Sequence, residues 1–150
     1  MVTMVGEESS IEELVTDLIS LEHDAIAVYE SCMARLDNKE LGAQIAIFKQ
    51  DHLQHLKVLT EMARELGVQA PTGGDLKKML TTGKIALAEI MGDVAILKAI
   101  KTNEDDTVAA YERAIRHEDA IPATKAFFMS AHLDEERHRA WMSTTADTLS

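Results

Sequence analysis

One hundred and fifty residues suffice to enclose a sizeable core in one domain, residues 1–150, and nearly half of the chain is apolar, with few aromatics and two prolines. A formal charge of −11 argues against nucleic acid and against an anionic membrane as partners, and fits a chain that attracts cations. Cys32 stands alone, which excludes a disulfide framework and a Cys-x-x-Cys site; no run is apolar for long enough to span a bilayer, and residues 1–8 carry no basic-then-apolar leader, so a cytoplasmic location is expected, with 1–8 disordered or extended.

Ser9 and Ser10 precede Glu12 and Glu13 by three, a doubled capping-box signal for a helix start. The helix that follows carries two adjacent apolar stripes, and in the second of them Glu22 stands where the pattern asks for Leu. It is expected to stop near Asp37-Asn38, with Asp37 and Glu40 capping the next helix. That second helix places Leu41, Ile45, Phe48, His52, His55, Leu59, Met62 and Leu66 on one stripe, so two histidines three apart occupy core positions. Gly67 suits the C-cap, and residues 68–92 read as a long crossover, with a short helix in one or two pieces between Leu76 and Met91. Asp93 is expected to cap a third helix running to about His117, whose stripe holds Lys101, Glu104 and Tyr111. Asp119 is expected to cap, and Pro122 to open, a fourth helix whose stripe runs Phe128, Ala131, Glu135, His138, Met142, Thr145, Leu149. The fold expected is all-α: an antiparallel four-helix bundle of two helical hairpins joined by the crossover.

The hairpins repeat each other. Glu22, Asp24, Tyr29 and Glu30 return 82 positions later as Glu104, Asp106, Tyr111 and Glu112, and Asp51, His52 and His55 return 83 positions later as Asp134, Glu135 and His138. Residues equidistant from a hairpin turn lie level. The midpoint of Glu22 and His52 falls at position 37 and that of Glu104 and Glu135 between 119 and 120, both inside expected turns. Six polar groups therefore converge on one inward layer: Glu22, His52, His55, Glu104, Glu135 and His138. Three buried, unpaired carboxylates would cost several kcal/mol each, and a divalent metal would neutralise them. Oxygen and imidazole donors without thiolate suit iron or manganese, with zinc as a further choice. The competing reading is a polar core layer of hydrogen-bonded acids and histidines.

Glu22 with Tyr29, Glu104 with Tyr111, Glu135-x-x-His138 and the segment Asp51-His52-Leu53-Gln54-His55 together resemble the ferritin-like superfamily, in particular rubrerythrin-type bundles and small bacterial ferritin-like domains. The resemblance runs from about Ser9 to Leu149. It implies one two-metal centre, commonly di-iron, that handles dioxygen or peroxide, in iron handling or oxidative-stress response, and a homodimer. By that analogy Glu22 and Glu104 are terminal ligands, Glu135 bridges, and His55 and His138 cap the two metals. His52 stands where the family has a second bridging Glu, which leaves both a ligand and a supporting role open for it and admits a single metal. Lys101, one turn from Glu104, either snorkels to solvent or replaces a metal. A non-enzymatic, stress-associated bundle with a structural, mononuclear or absent metal is the alternative function. Glu30, Glu112, Asp134 and Glu136 read as surface or rim charges, and His23 and His132 as solvated or supporting. Tyr29 and Tyr111 read as core aromatics whose hydroxyls can reach ligand carboxylates.

Overall fold

The computed structural model describes residues 4–72 and 92–150, and among them every regular element is helical. Four helices make a bundle: α1 (Ile11–Met33), α2 (Lys39–Glu65), α3 (Asp93–Ile115) and α4 (Pro122–Leu149). Their directions follow from side chains that meet. On α1 and α3, Tyr29 reaches Glu104 whereas the earlier Glu22 is reached by the later Tyr111, so the two helices are antiparallel. The same crossing pattern relates α2 to α4, where His55 meets Asp134 and Asp51 meets His138. Within the hairpins, Glu22 meets His52 and Thr107 meets Glu135. The end of α2 and the start of α3 therefore lie at opposite ends of a bundle about 40 Å long, as a two-hairpin bundle with one long connection requires. The short helix expected between Leu76 and Met91 falls largely on residues 73–91, outside the described residues.

The caps show where local signals held and where they did not. Ser10 caps α1, its hydroxyl accepting from the Glu13 amide at 3.2 Å. The α2 cap is Asn38 rather than Asp37: its side chain accepts from the amides of Glu40 and Leu41. Asp93 does not cap its own helix. Its carboxylate takes the amides of Asp37 and Asn38 at 2.8 and 3.1 Å, tying the start of α3 to the α1–α2 turn. Asp119 does not cap α4 either; the helix opens at Pro122 behind Ile121 with no side-chain cap, and the Asp119 amide donates to His117 Nδ1. For Asp93 the cause is tertiary: an acid near a helix start serves whichever amides the fold brings to it. Gly67, at φ 74°, closes α2 as expected, with Val68 and Gly67 amides returning to Ala63 and Arg64 carbonyls.

The apolar side chains form two clusters along the bundle. One gathers Leu14, Leu18, Leu59, Ala114 and Phe128; the other gathers Cys32, Leu36, Ile45, Ile96 and Met142. Between them lies a layer of charged and polar residues with essentially no exposure.

Replacing Asp93 with Ala should lower stability by about 1 kcal/mol, through the loss of two hydrogen bonds to a charged acceptor in an exposed turn. Urea denaturation checks this, with the helical content of the folded state unchanged.

Candidate metal centre

All six side chains singled out in the sequence enter that layer. Glu22, His52, Glu104, Glu135 and His138 are 0% exposed and His55 is 3% exposed, values that leave no route to neutralisation by bulk water. Register on the helices explains the placement. His52 and His55, and Glu135 and His138, are each one turn apart on the inward stripes of α2 and α4, and Glu22 and Glu104 occupy the matching stripes of α1 and α3. The six fall into two groups of four: Glu22, His52, His55 and Glu135, then His52, Glu104, Glu135 and His138. Within each group one donor atom per residue lies within 4.8 Å of the others. His52 and Glu135 belong to both groups.

His52 spans the layer. Its Nδ1 is 2.8 Å from Glu22 Oε2 and its Nε2 is 3.1 Å from Glu104 Oε1. His55 directs Nδ1 inward, 3.3 Å from Glu22 Oε1 and 3.1 Å from Glu135 Oε1. His138 also directs Nδ1 inward, 3.8 Å from both Glu104 and Glu135. The outer Nε2 of His55 is held by Asp134 at 2.8 Å, and that of His138 by Asp51 at 2.7 Å. A carboxylate on the outer nitrogen holds the proton there and leaves the inner lone pair for a ligand, which is how metal-binding histidines are commonly oriented. Asp134 is therefore not a surface charge pointing away from the site: the helix puts its Cβ outward, but the side chain reaches the neighbouring helix.

Three further groups steady the carboxylates. Tyr29 donates to Glu104, and Tyr111 donates to Glu22 at 2.8 Å. Thr107 Oγ1 lies between Glu104 Oε2 at 2.9 Å and Glu135 Oε2 at 2.8 Å. Periodicity does not single out Thr107 or the two aspartates. Thr107 stands one turn after Glu104, and Asp51 and Asp134 form a repeat pair, so the signals were present but weak. Lys101 turns outward to Asp105 at 3.0 Å and does not stand in for a cation. Glu30 and Glu112 are rim charges, paired with Lys49 and Arg116. His132 pairs with Glu136 at 2.9 Å near the surface.

The electrostatics follow from close packing of opposite charges. Burial pushes the Glu22 carboxyl up, but His52 and His55 outweigh it and bring it down to about 2. Burial likewise opposes charge on His55, yet Asp134, Glu135 and Glu22 raise it to about 11. His52 is raised for the same kind of reason, burial being outweighed by Glu135 and Glu22. Glu104 is held down against burial by its bonds to Glu135, His138 and His52, whereas burial and the Glu104 charge drive Glu135 up. The tyrosines are raised by burial and by Glu104 or Glu22, so they remain donors.

Within the layer one atom is left over. Glu135 Oε1 is buried and takes no hydrogen bond among the described residues; the His55 and His52 nitrogens at 3.1 and 3.5 Å are close enough for attraction but wrongly angled to donate. An acceptor of that kind costs stability unless something binds it. It lies where the two groups of four overlap, and the donors are oxygens and imidazole nitrogens. The residues present therefore fit a hard or borderline divalent cation.

Fold and site together define a four-helix bundle whose core holds buried His/Glu groups able to bind a metal ion. Residues 10–117 match the family described as a domain of unknown function, DUF2383, and the chain belongs to that family. The match spans α1 to α3 with Glu22, His52, His55 and Glu104, while Glu135 and His138 on α4 lie beyond it. No curated protein and no solved structure matches the chain. Among the described residues no helix is long and apolar enough to cross a membrane.

Two outcomes follow for the protein stripped with chelator. The Glu22 contribution to stability is present above pH 4.5 and lost as pH falls toward 2; that of His55 is present below pH 6.5 and lost as pH rises toward 11. Denaturation midpoints across pH 3–10 should therefore peak between about 4.5 and 6.5 as far as these two groups decide. Separately, Asp51→Asn and Asp134→Asn should each weaken metal binding about 10- to 100-fold while leaving the helical content intact, as read by calorimetric titration.

Proposed function

We propose that this chain is a ferritin-like metal-binding protein with a carboxylate/histidine two-metal centre in the bundle core. Iron is the first candidate and manganese or zinc the alternatives; the proposed roles are cytoplasmic iron handling or defence against dioxygen or peroxide. The observation that carries the reading is the pair of four-residue donor groups sharing His52 and Glu135. Two positions with common ligands are what a two-metal site needs, and four helices supplying acids and an i, i+3 acid–imidazole pair are a known way to build one.

In this reading Glu22 with His55 serves one position and Glu104 with His138 the other. Glu135 is available to both, and its unsatisfied Oε1 is the atom with most to gain. Tyr29 and Tyr111 each hold one terminal carboxylate from the opposite hairpin, which fixes the oxygen presented inward. Asp51 and Asp134 keep a proton on the outer histidine nitrogens. The apolar clusters above and below exclude water from the layer. A bound iron pair would supply the electrons that reduce dioxygen or peroxide.

A second reading has one ion with a structural role. It is favoured by His52, which occupies the place of a fourth carboxylate and leaves three acids to balance the cations. Neutral imidazole offers a single lone pair, so it serves one position fully and meets the other with an N–H.

Elemental analysis after ferrous or manganous loading decides between them: about two ions per chain supports the two-metal centre and about one supports the structural reading. Glu135→Ala should abolish tight binding in calorimetric titration. Absence of binding by the unaltered chain, or full binding by that variant, would overturn the proposal. Because ligand nitrogens and oxygens must shed protons, the rise in Tm on metal addition should be larger at pH 8 than at pH 6.

A further inference from the structure

The six buried groups are enclosed on nearly every side. Toward α1 and α3 they meet Tyr29 and Tyr111, both 0% exposed, and between α3 and α4 they meet Thr107, also 0% exposed. Among the described residues, two part-exposed side chains hydrogen-bond to members of the layer: Asp51 on His138 and Asp134 on His55, each with 31% of its side chain exposed. Both sit on the seam between α2 and α4, where each crosses from its own helix to a histidine of the other. Arg137 closes that seam. Its guanidinium donates to Asp51 Oδ2 at 2.9 Å and to Asp134 Oδ1 at 3.1 Å, and it lies over the Phe48 ring at 5.7 Å. Phe48 in turn packs on the His138 ring at 4.4 Å. One half-exposed cation thus holds both aspartates, each of which holds one inward-facing histidine.

We propose that the α2–α4 seam is the route by which a divalent cation reaches the core layer, and that Arg137 is a removable stopper that an incoming cation displaces from Asp51 and Asp134. The proposal rests on the metal-binding reading. The chemistry of exchange is like for like. Arg is permanently charged, so at any working pH it places one positive charge between two carboxylates that would otherwise repel each other across the seam. A hydrated cation sheds water more readily where carboxylate oxygens replace it, and these two are the outermost oxygens joined to the layer. The net charge of −11 draws cations to the surface in general; the seam gives them one place to go inward. The half-exposed guanidinium has as partners two carboxylates and the outer face of Phe48, whose ring keeps its packing on His138 and Trp141 when the guanidinium leaves.

The test uses the full chain and cobaltous ion, with quenching of Trp141, the sole tryptophan, as the signal; its ring packs on Phe48 at 5.5 Å. Loading is followed by stopped flow and release by chelator challenge. Arg137→Ala should speed both by about tenfold, the scale set by removing one partly exposed two-point ion pair, with unchanged stoichiometry and Tm within a few degrees. Arg137→Lys should recover part of the slow behaviour, because it restores the charge but not the planar guanidinium that lies over the Phe48 ring. Lys101→Ala, which removes a comparable ion pair with Asp105 on another face, should leave both rates at the wild-type value. Rates within twofold of wild type in Arg137→Ala, or equal acceleration in Lys101→Ala, would overturn the seam as the route while leaving the metal centre standing. Failure of the unaltered chain to take up cobalt, manganese or iron would remove both.

Discussion

Three carboxylates with no exposure share one slice of this bundle, and the rest of the structure can be understood as what that slice requires. Charges so placed are tolerable only if each is met at hydrogen-bond distance by a donor or a countercharge. His52 and His55 lie beside Glu22, His52 and Tyr29 beside Glu104, and Thr107 beside both Glu104 and Glu135. The apolar clusters are split above and below the layer because no aliphatic side chain could occupy it without stranding an acid.

The support is exchanged between the hairpins rather than kept within each. Tyr29 of the first hairpin holds Glu104 of the second, and Tyr111 of the second holds Glu22 of the first. Asp51 and Asp134 make the same exchange for His138 and His55. Neither hairpin alone completes the layer, so docking of the hairpins and assembly of the site are one event. This reciprocity also fits the repeat: a unit in which each copy completes the other keeps its acids, tyrosines and histidines at offsets of 82 and 83.

The repeat is broken where it matters most to the proposed chemistry. His52 stands opposite Glu135, and Thr107 occupies the position that the offset assigns to Ala25. Both differences act on the shared middle of the layer. His52 presents one nitrogen to each half, where a carboxylate would present two equivalent oxygens. Thr107 bonds Glu104 of one half and the shared Glu135, and Ala25 offers the other half no such hydroxyl. The two donor groups are thus alike in their outer members and unlike in how the middle serves them.

Sequence alone determined the four helices, the inward stripes and the convergence of Glu22, His52, His55, Glu104, Glu135 and His138, because each depends on helical periodicity and on distance from a turn, both of which are local. It could not determine partners reached across helices. The angle of Asp134 on α4 points to the surface, yet its side chain crosses to His55; proximity makes Asp93 and Asp119 caps, yet the amides that Asp93 serves belong to another turn and Asp119 does not cap α4. Periodicity gives the direction in which a Cβ points, not which neighbouring helix lies within reach of a flexible polar side chain. That reach, which decides the histidine orientation, the Thr107 bridge and the Arg137 closure, is set only when the two hairpins pack.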